Sequence, residues 1–236
     1  MKMRKLFQAS LFIFCSWPLI ASAAITLSAD RLIYNQKQGD ASLTVHSNEE
    51  RTYLIQSWLD NGDNSVQKEL PFVVTPPLFR LAANSDNVVR VVYLKNSLPQ
   101  DRESIFWLNV KAIPGLNGEE AKVENRAVLA FNNRIKFFYR PDSLTSSGAV
   151  EAKNAHWETH GNQLTVSNAS AYYLVLSKIV ADGESIPVSV VTNNTLIKPF
   201  SHKSYTLNHV PAKHSTIEWQ VIDDLGATSK TLTQQF

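Results

Sequence analysis

Six histidines are the side chains best suited to acid–base or metal chemistry in this 236-residue chain, because imidazole changes charge near neutral pH. His156 and His160 are spaced so that they could share a face, but they flank Trp157-Glu158-Thr159 ahead of a Gly161-Asn162 turn, with no further ligand nearby. Structural zinc takes four protein ligands and catalytic zinc three, so neither a metal nor a cofactor is expected. No Gly-x-Ser-x-Gly elbow, phosphate-binding glycine loop or His-Glu-x-x-His stretch occurs. A hydrolytic triad would meet only in space, and nothing in the sequence points to one. Cys15 is the one cysteine, and its position matters.

Met1-Lys2-Met3-Arg4-Lys5 is a basic head, Leu6 to Ile20 is mostly apolar, and Ala21-Ser22-Ala23 is a small-residue cleavage site. This is the pattern of a secretory leader over residues 1–23, too short and too interrupted by Pro18 to span a membrane. Its removal takes away Lys2, Arg4 and Lys5 from the 23 basic residues, leaving 20 against 21 acidic ones. A basic surface for nucleic acid is therefore not expected, nor is membrane insertion. Cys15 leaves with the leader, so the exported chain has no thiol for a nucleophile, a disulfide or a metal.

Short β-branched or alternating runs recur at Ser42–His46, Tyr53–Trp58, Val88–Leu94, Ile105–Ile113, Val128–Tyr139, Gln163–Ser167, Tyr172–Val180 and Thr216–Ile222. Turn chemistry separates them at Asp60-Asn61-Gly62-Asp63, Pro114-Gly115-Leu116-Asn117-Gly118, His160-Gly161-Asn162 and Asp182-Gly183. Helical periodicity is nowhere sustained, which predicts an all-β sandwich architecture. Arg140-Pro141-Asp142-Ser143-Leu144-Thr145-Ser146-Ser147-Gly148 is the strongest composition break. A boundary there gives a first domain at 24–143 and a second at 144–236, each near the size of an immunoglobulin-like sandwich.

Residues 123–139 carry the most information. Along a strand, Val123, Ala127, Leu129, Phe131, Ile135, Phe137 and Tyr139 share one side, interrupted by Asn125 and Asn133. Two readings fit. The apolar side is ordinary core, or part of it is an exposed edge kept bare so that a partner's strand can add to it.

Leu98-Pro99-Gln100-Asp101-Arg102-Glu103-Ser104-Ile105-Phe106-Trp107-Leu108-Asn109-Val110-Lys111-Ala112-Ile113-Pro114 closely resembles the signature of the periplasmic pilus (fimbrial) assembly chaperones of Gram-negative bacteria. The likeness continues through Arg31-Leu32-Ile33-Tyr34, Thr75-Pro76-Pro77, Asn133 to Pro141 and Asn168-Ala169-Ser170-Ala171-Tyr172-Tyr173, and so covers both expected domains. It implies two immunoglobulin-like domains at an angle with a cleft between them, and no enzymatic activity. The implied partners are pilin subunits and the outer-membrane usher, the implied compartment is the periplasm, and whether the free chain covers its bare strand by self-association is left open by the sequence.

By the same resemblance, Val123, Ala127, Leu129 and Phe131 are donor side chains that complete the incomplete sandwich of a pilin, Ala127 being smaller than the bulky residue usual there. Arg31 and Lys136 are the cleft cations that hold the subunit's terminal carboxylate, chemistry suited to a planar fork beside a compact charge. Arg90, Glu103 and Asp224 correspond to a salt-bridge network tying the domains together. The short stretch from Gly115 to Arg126 and the absence of cysteine resemble the short-loop branch, whose implied clients are rod-type fimbriae. A eukaryotic adhesion module is the rival reading. It would make Asn168-Ala169-Ser170 and Asn193-Asn194-Thr195 glycosylation sites, but extracellular immunoglobulin domains of that kind carry cysteines.

Overall fold

The computed structural model describes residues 24–62, 69–94, 97–212 and 214–235. The expected leader and Asp63 of the first turn lie outside the described residues.

The alternating runs assemble into two sandwiches. In the first, β1 (Ile25–Leu27), β3 (Asp40–Ser47), β7 (Asp86–Tyr93) and β5 (Phe72–Thr75) pair in that order. Facing them, β2 (Arg31–Asn35), β9 (Phe131–Arg140), β8 (Ser104–Pro114), β4 (Tyr53–Asp60) and β6 (Leu78–Leu81) form a five-stranded sheet in that order. Every pairing is antiparallel except β2 with β9. Alternation builds the core: Ala41, Leu43 and Val45 of β3 point inward with Val89 and Val91 of β7, while Ser42, Thr44 and His46 point outward. Tyr34, Phe72, Tyr93, Phe106, Phe137 and Tyr139 form a ring cluster with centroids 4.8–6.3 Å apart. Edge and offset contacts of this kind add to the area that the rings bury.

The second sandwich has β10 (His156–His160), β11 (Gln163–Asn168) and β15 (Ser201–Thr206) on one side. On the other, β12 (Leu174–Ala181) pairs with β13 (Glu184–Ser185), β14 (Leu196–Ile197) and β16 (Thr216–Val221), and β16 pairs with β17 (Leu232–Gln235). Trp157, Leu164, Val166, Ile179, Ile217 and Trp219 fill its core. Asp182 and Gly183 turn the β12–β13 hairpin with φ of +49° and +78°, the left-handed pair that a two-residue hairpin demands. The chain crosses between the two sandwiches after Arg140, and one helical turn, Gly148–Glu151, is capped by Ser147 Oγ accepting from the Val150 N–H.

One sequence expectation is corrected here. The expected strand from Val128, with its apolar side reaching back to Val123, begins only at Phe131; Val123 follows a 3-10 turn, Glu120–Lys122, and residues 126–130 belong to no strand. The partner runs out. Phe131 pairs with Ala112, near the end of β8, and Pro114 has no N–H to carry the ladder on.

Candidate functional site

β9 has two different edges. β8 lines it on one side from Phe131 to Tyr139, whereas β2 lines the other side only from Lys136 to Arg140. Among the described residues, the backbone from Phe131 to Ile135 is therefore unpaired on the β2 side. Within this bare stretch and just before it, Leu129 is 70% exposed, Phe131 62% and Val123 50%, and Ala127 is exposed as well. These four expected donor residues are not buried in their own sandwich. Val123, Ala127, Leu129 and Phe131 line an open cleft of about 510 Å³ with Arg51, Tyr53 and Glu120. Arg51 Nη2 pairs with Glu120 Oε1 at 2.6 Å, and Asn117 and Glu120 exchange side chain-to-backbone hydrogen bonds of 2.8 and 3.0 Å. These contacts hold the loop ahead of the bare segment.

The two expected anchor cations stand side by side where the bare edge ends. In the parallel register Arg31 is opposite Lys136, while Leu32 and Tyr34 pair with Phe137 and Tyr139 toward the core. Arg31 and Lys136 thus share the outer face, an arrangement that follows from period-2 alternation on both strands. Arg31 is buried; its Nε donates to Asp30 Oδ1 at 3.2 Å and its Nη1 to the Ile222 carbonyl at 3.5 Å. Lys136 is half-buried and has no ion pair among the described residues. Burial, followed by the Arg31 charge, holds its ammonium below the ordinary lysine range against a smaller opposing pull from Asp30. Two adjacent cations that lack full charge compensation form a site for an anion, and a carboxylate fits both the fork and the point charge.

Sequence reasoning named the wrong arginine for the network between the sandwiches. Arg90 pairs with Asp40, Nε to Oδ2 at 3.0 Å, on the exposed face of the other sheet. Arg140 takes the role instead: its Nε donates to Glu103 Oε1 at 2.7 Å and its Nη1 and Nη2 to Asp224 at 2.7 and 3.0 Å. Glu103 Oε2 accepts from the Tyr173 N–H at 2.9 Å, and the Glu103 N–H donates to the Ala171 carbonyl at 2.9 Å. Burial alone would lower the Arg140 pKa, but Asp224 and Glu103 outweigh it and raise it further. Burial raises the pKa of Glu103 against the pull of Arg140. Parity was the overlooked signal, since Lys136, Phe138 and Arg140 alternate onto one face. Phe138 is covered from the second sandwich by the Tyr173 ring, centroids 5.8 Å apart.

A further polar cluster went unpredicted. Asp60 accepts from Arg134 at 2.6 Å and Asn109 at 2.6 Å, and the Arg134 guanidinium lies 4.9 Å from the Trp107 ring centroid. His156 and His160 are exposed at the two ends of β10, and no three metal-binding side chains converge among the described residues. Asn168 is buried, its Nδ2 donating to the Tyr172 and Lys198 carbonyls at 2.7 and 3.0 Å, so its amide is committed to the fold rather than to a glycan. No helix among the described residues is long and apolar enough to cross a membrane.

Comparison with known proteins bears on both sandwiches. Residues 24–145 match the family model of the pili and flagellar-assembly chaperone PapD N-terminal domain, and 151–233 match that of the pili assembly chaperone PapD C-terminal domain. The chain is 35% identical to the chaperone protein LpfB of Salmonella typhimurium over 91% of its length and 90% of that protein's. It is 37% identical to the chaperone protein FimC of Escherichia coli K12, covering 90% of this chain and 85% of FimC. Among solved structures it is similar to the complex of the Salmonella enterica SafA pilin with the SafB chaperone, at a TM-score of 0.77 and 31% identity, covering 92% of this chain and 98% of that one.

Proposed function

The chain belongs to the pilus-assembly chaperone family, and from that premise we propose that its bare β9 edge and the Arg31–Lys136 pair together receive the last strand of a fimbrial subunit. It is a non-enzymatic chaperone of fimbrial assembly. The proposal extends to where and how it works: in the periplasm, with 24–143 and 144–236 as its two domains, and with delivery of the subunit to an outer-membrane usher.

One observation carries this reading: the pairing of β9 by β2 stops at the two cations. A subunit strand laid along Phe131–Ile135 would lie in line with β2 on the same edge. Its terminal carboxylate would meet Arg31 and Lys136 where β2 begins, so that strand would run parallel to β9. Leu129 and Phe131, with Ala127 and Val123 beyond, would then enter the groove left by the subunit's missing strand. Main-chain hydrogen bonds supply affinity in such strand addition and the alternate side chains supply fit.

Co-production with the cognate major pilin in the periplasm should yield a one-to-one complex, read by copurification and mass. Arg31→Ala or Lys136→Ala should abolish stable complexes while leaving the chaperone folded, read by circular dichroism. A double variant that still retains the pilin would remove the anchor from the proposal.

A further inference from the structure

The anchor cation Arg31 is held from two directions. Its side chain is only 5% exposed, so the groups packed around it restrict the directions in which the guanidinium can point. Asp30 Oδ1 accepts from Nε on one side, and the Ile222 carbonyl of the second sandwich accepts from Nη1. No acceptor is bonded to Nη2 among the described residues.

The second sandwich approaches the Asp30 carboxylate on one side. Residues 223–227 make a tight turn in which Asp223 Oδ1 accepts from the Leu225 and Ala227 N–H groups at 2.9 and 2.8 Å. In this turn Gly226 takes φ +88°, and a Cβ there would lie 2.6 Å from Asp30 Oδ1 and 3.0 Å from Cγ and Oδ2. Only glycine combines that backbone angle with that clearance, and its absence of a side chain lets the turn close on the Asp30 carboxylate.

We infer that Asp30 is a positioning residue of the carboxylate anchor: together with the Ile222 carbonyl it fixes the Arg31 guanidinium so that the Nη2 N–H groups are left to the incoming subunit. The inference rests on the anchor reading above and adds to it that the second sandwich helps aim the first sandwich's cation. The Asp30 side chain is itself 61% exposed, where an ion pair does little for stability, so aiming rather than folding is its contribution.

The test uses the full chain and a synthetic peptide spanning the C-terminal strand of the cognate major pilin, made as the free acid and as the amide, with affinities read by calorimetry. The wild type should prefer the acid by roughly a hundredfold, and Arg31→Ala should remove most of that preference. Asp30→Ala should cut the preference about tenfold, while Asp30→Asn, whose side-chain oxygen still accepts from Nε, should stay within about threefold of the wild type. Both Asp30 variants should melt within about 4 °C of the wild type. If Arg31→Ala removes the preference but both Asp30 variants leave it intact or tighten acid binding, Asp30 is a bystander or a competitor and the inference is overturned. An Asp30→Asn loss as large as that of Asp30→Ala also overturns it, because charge rather than aiming would then be at work. If the wild type does not distinguish acid from amide, the anchor itself falls.

Discussion

The two halves of β9 have the same alternation and opposite fates. Ile135, Phe137 and Tyr139 are 8%, 0% and 0% exposed, while Phe131, on the same side of the same strand, is 62% exposed. What differs is the layer opposite. Phe72 and Tyr93 of the facing sheet lie 5.1 Å from Phe137 and 4.8 Å from Tyr139, centroid to centroid. β2 also closes the edge from Lys136 onward. Toward Phe131 both the facing rings and the edge strand end. An apolar side chain is therefore core or contact surface according to what its own chain places across from it, and a bare apolar edge is a place where another strand can pair.

Substitutions can break this contrast or sharpen it. Phe137→Ala should cost about 3–5 kcal/mol and Phe131→Ala less than about 0.5 kcal/mol, compared by urea denaturation; similar costs at both would mean that Phe131 is core after all. Next in size is the pair of arginines. Arg140→Ala strands Glu103, which is 3% exposed, and should cost about 3–5 kcal/mol, with faster hydrogen exchange around Tyr173. Arg90→Ala breaks an exposed pair with Asp40 and should cost less than about 1 kcal/mol.

Leu129→Glu should leave thermal stability within about 0.5 kcal/mol of the wild type and weaken pilin binding by at least roughly tenfold, since a carboxylate would have to enter an apolar groove. A large fall in stability would instead show Leu129 to be packed in its own sandwich.

The smallest effect is pH dependence. The free chain holds Lys136 below the ordinary lysine range, and a bound carboxylate raises its pKa, so binding is fullest below the free-state pKa and weakens as pH rises through that value and on through the bound one. Affinity titrated on the alkaline side should begin to fall before ordinary lysines deprotonate, and Lys136→Arg should flatten the curve. A profile that is flat with Lys136 in place would take the ammonium out of the contact.

Strands with inward β-branched residues were legible one by one: Ser42–His46, Tyr53–Trp58 and Ile105–Ile113 each lie inside an observed strand, β3, β4 and β8. Others escaped. β15 is almost wholly polar, Ser201–Thr206 with only Tyr205 buried, and β5 and β6 flank Pro76-Pro77, which reads as a break. Within the site, Arg31 and Lys136 came from the family likeness, whereas Arg140 was passed over because an arginine before Pro141-Asp142 looks like the start of a linker.

Local pattern was enough to determine the all-β class, the sense in which side chains alternate along β9 and the cysteine-free character of residues 24–236, because each follows from residue type and spacing along one strand. Where β9 stops being paired, which arginine bridges the sandwiches and what holds Arg31 were decided only by the tertiary structure. Those outcomes depend on strands and turns far apart in the chain arriving at one place, from Asp30 to Gly226, and no short-range period encodes such a meeting.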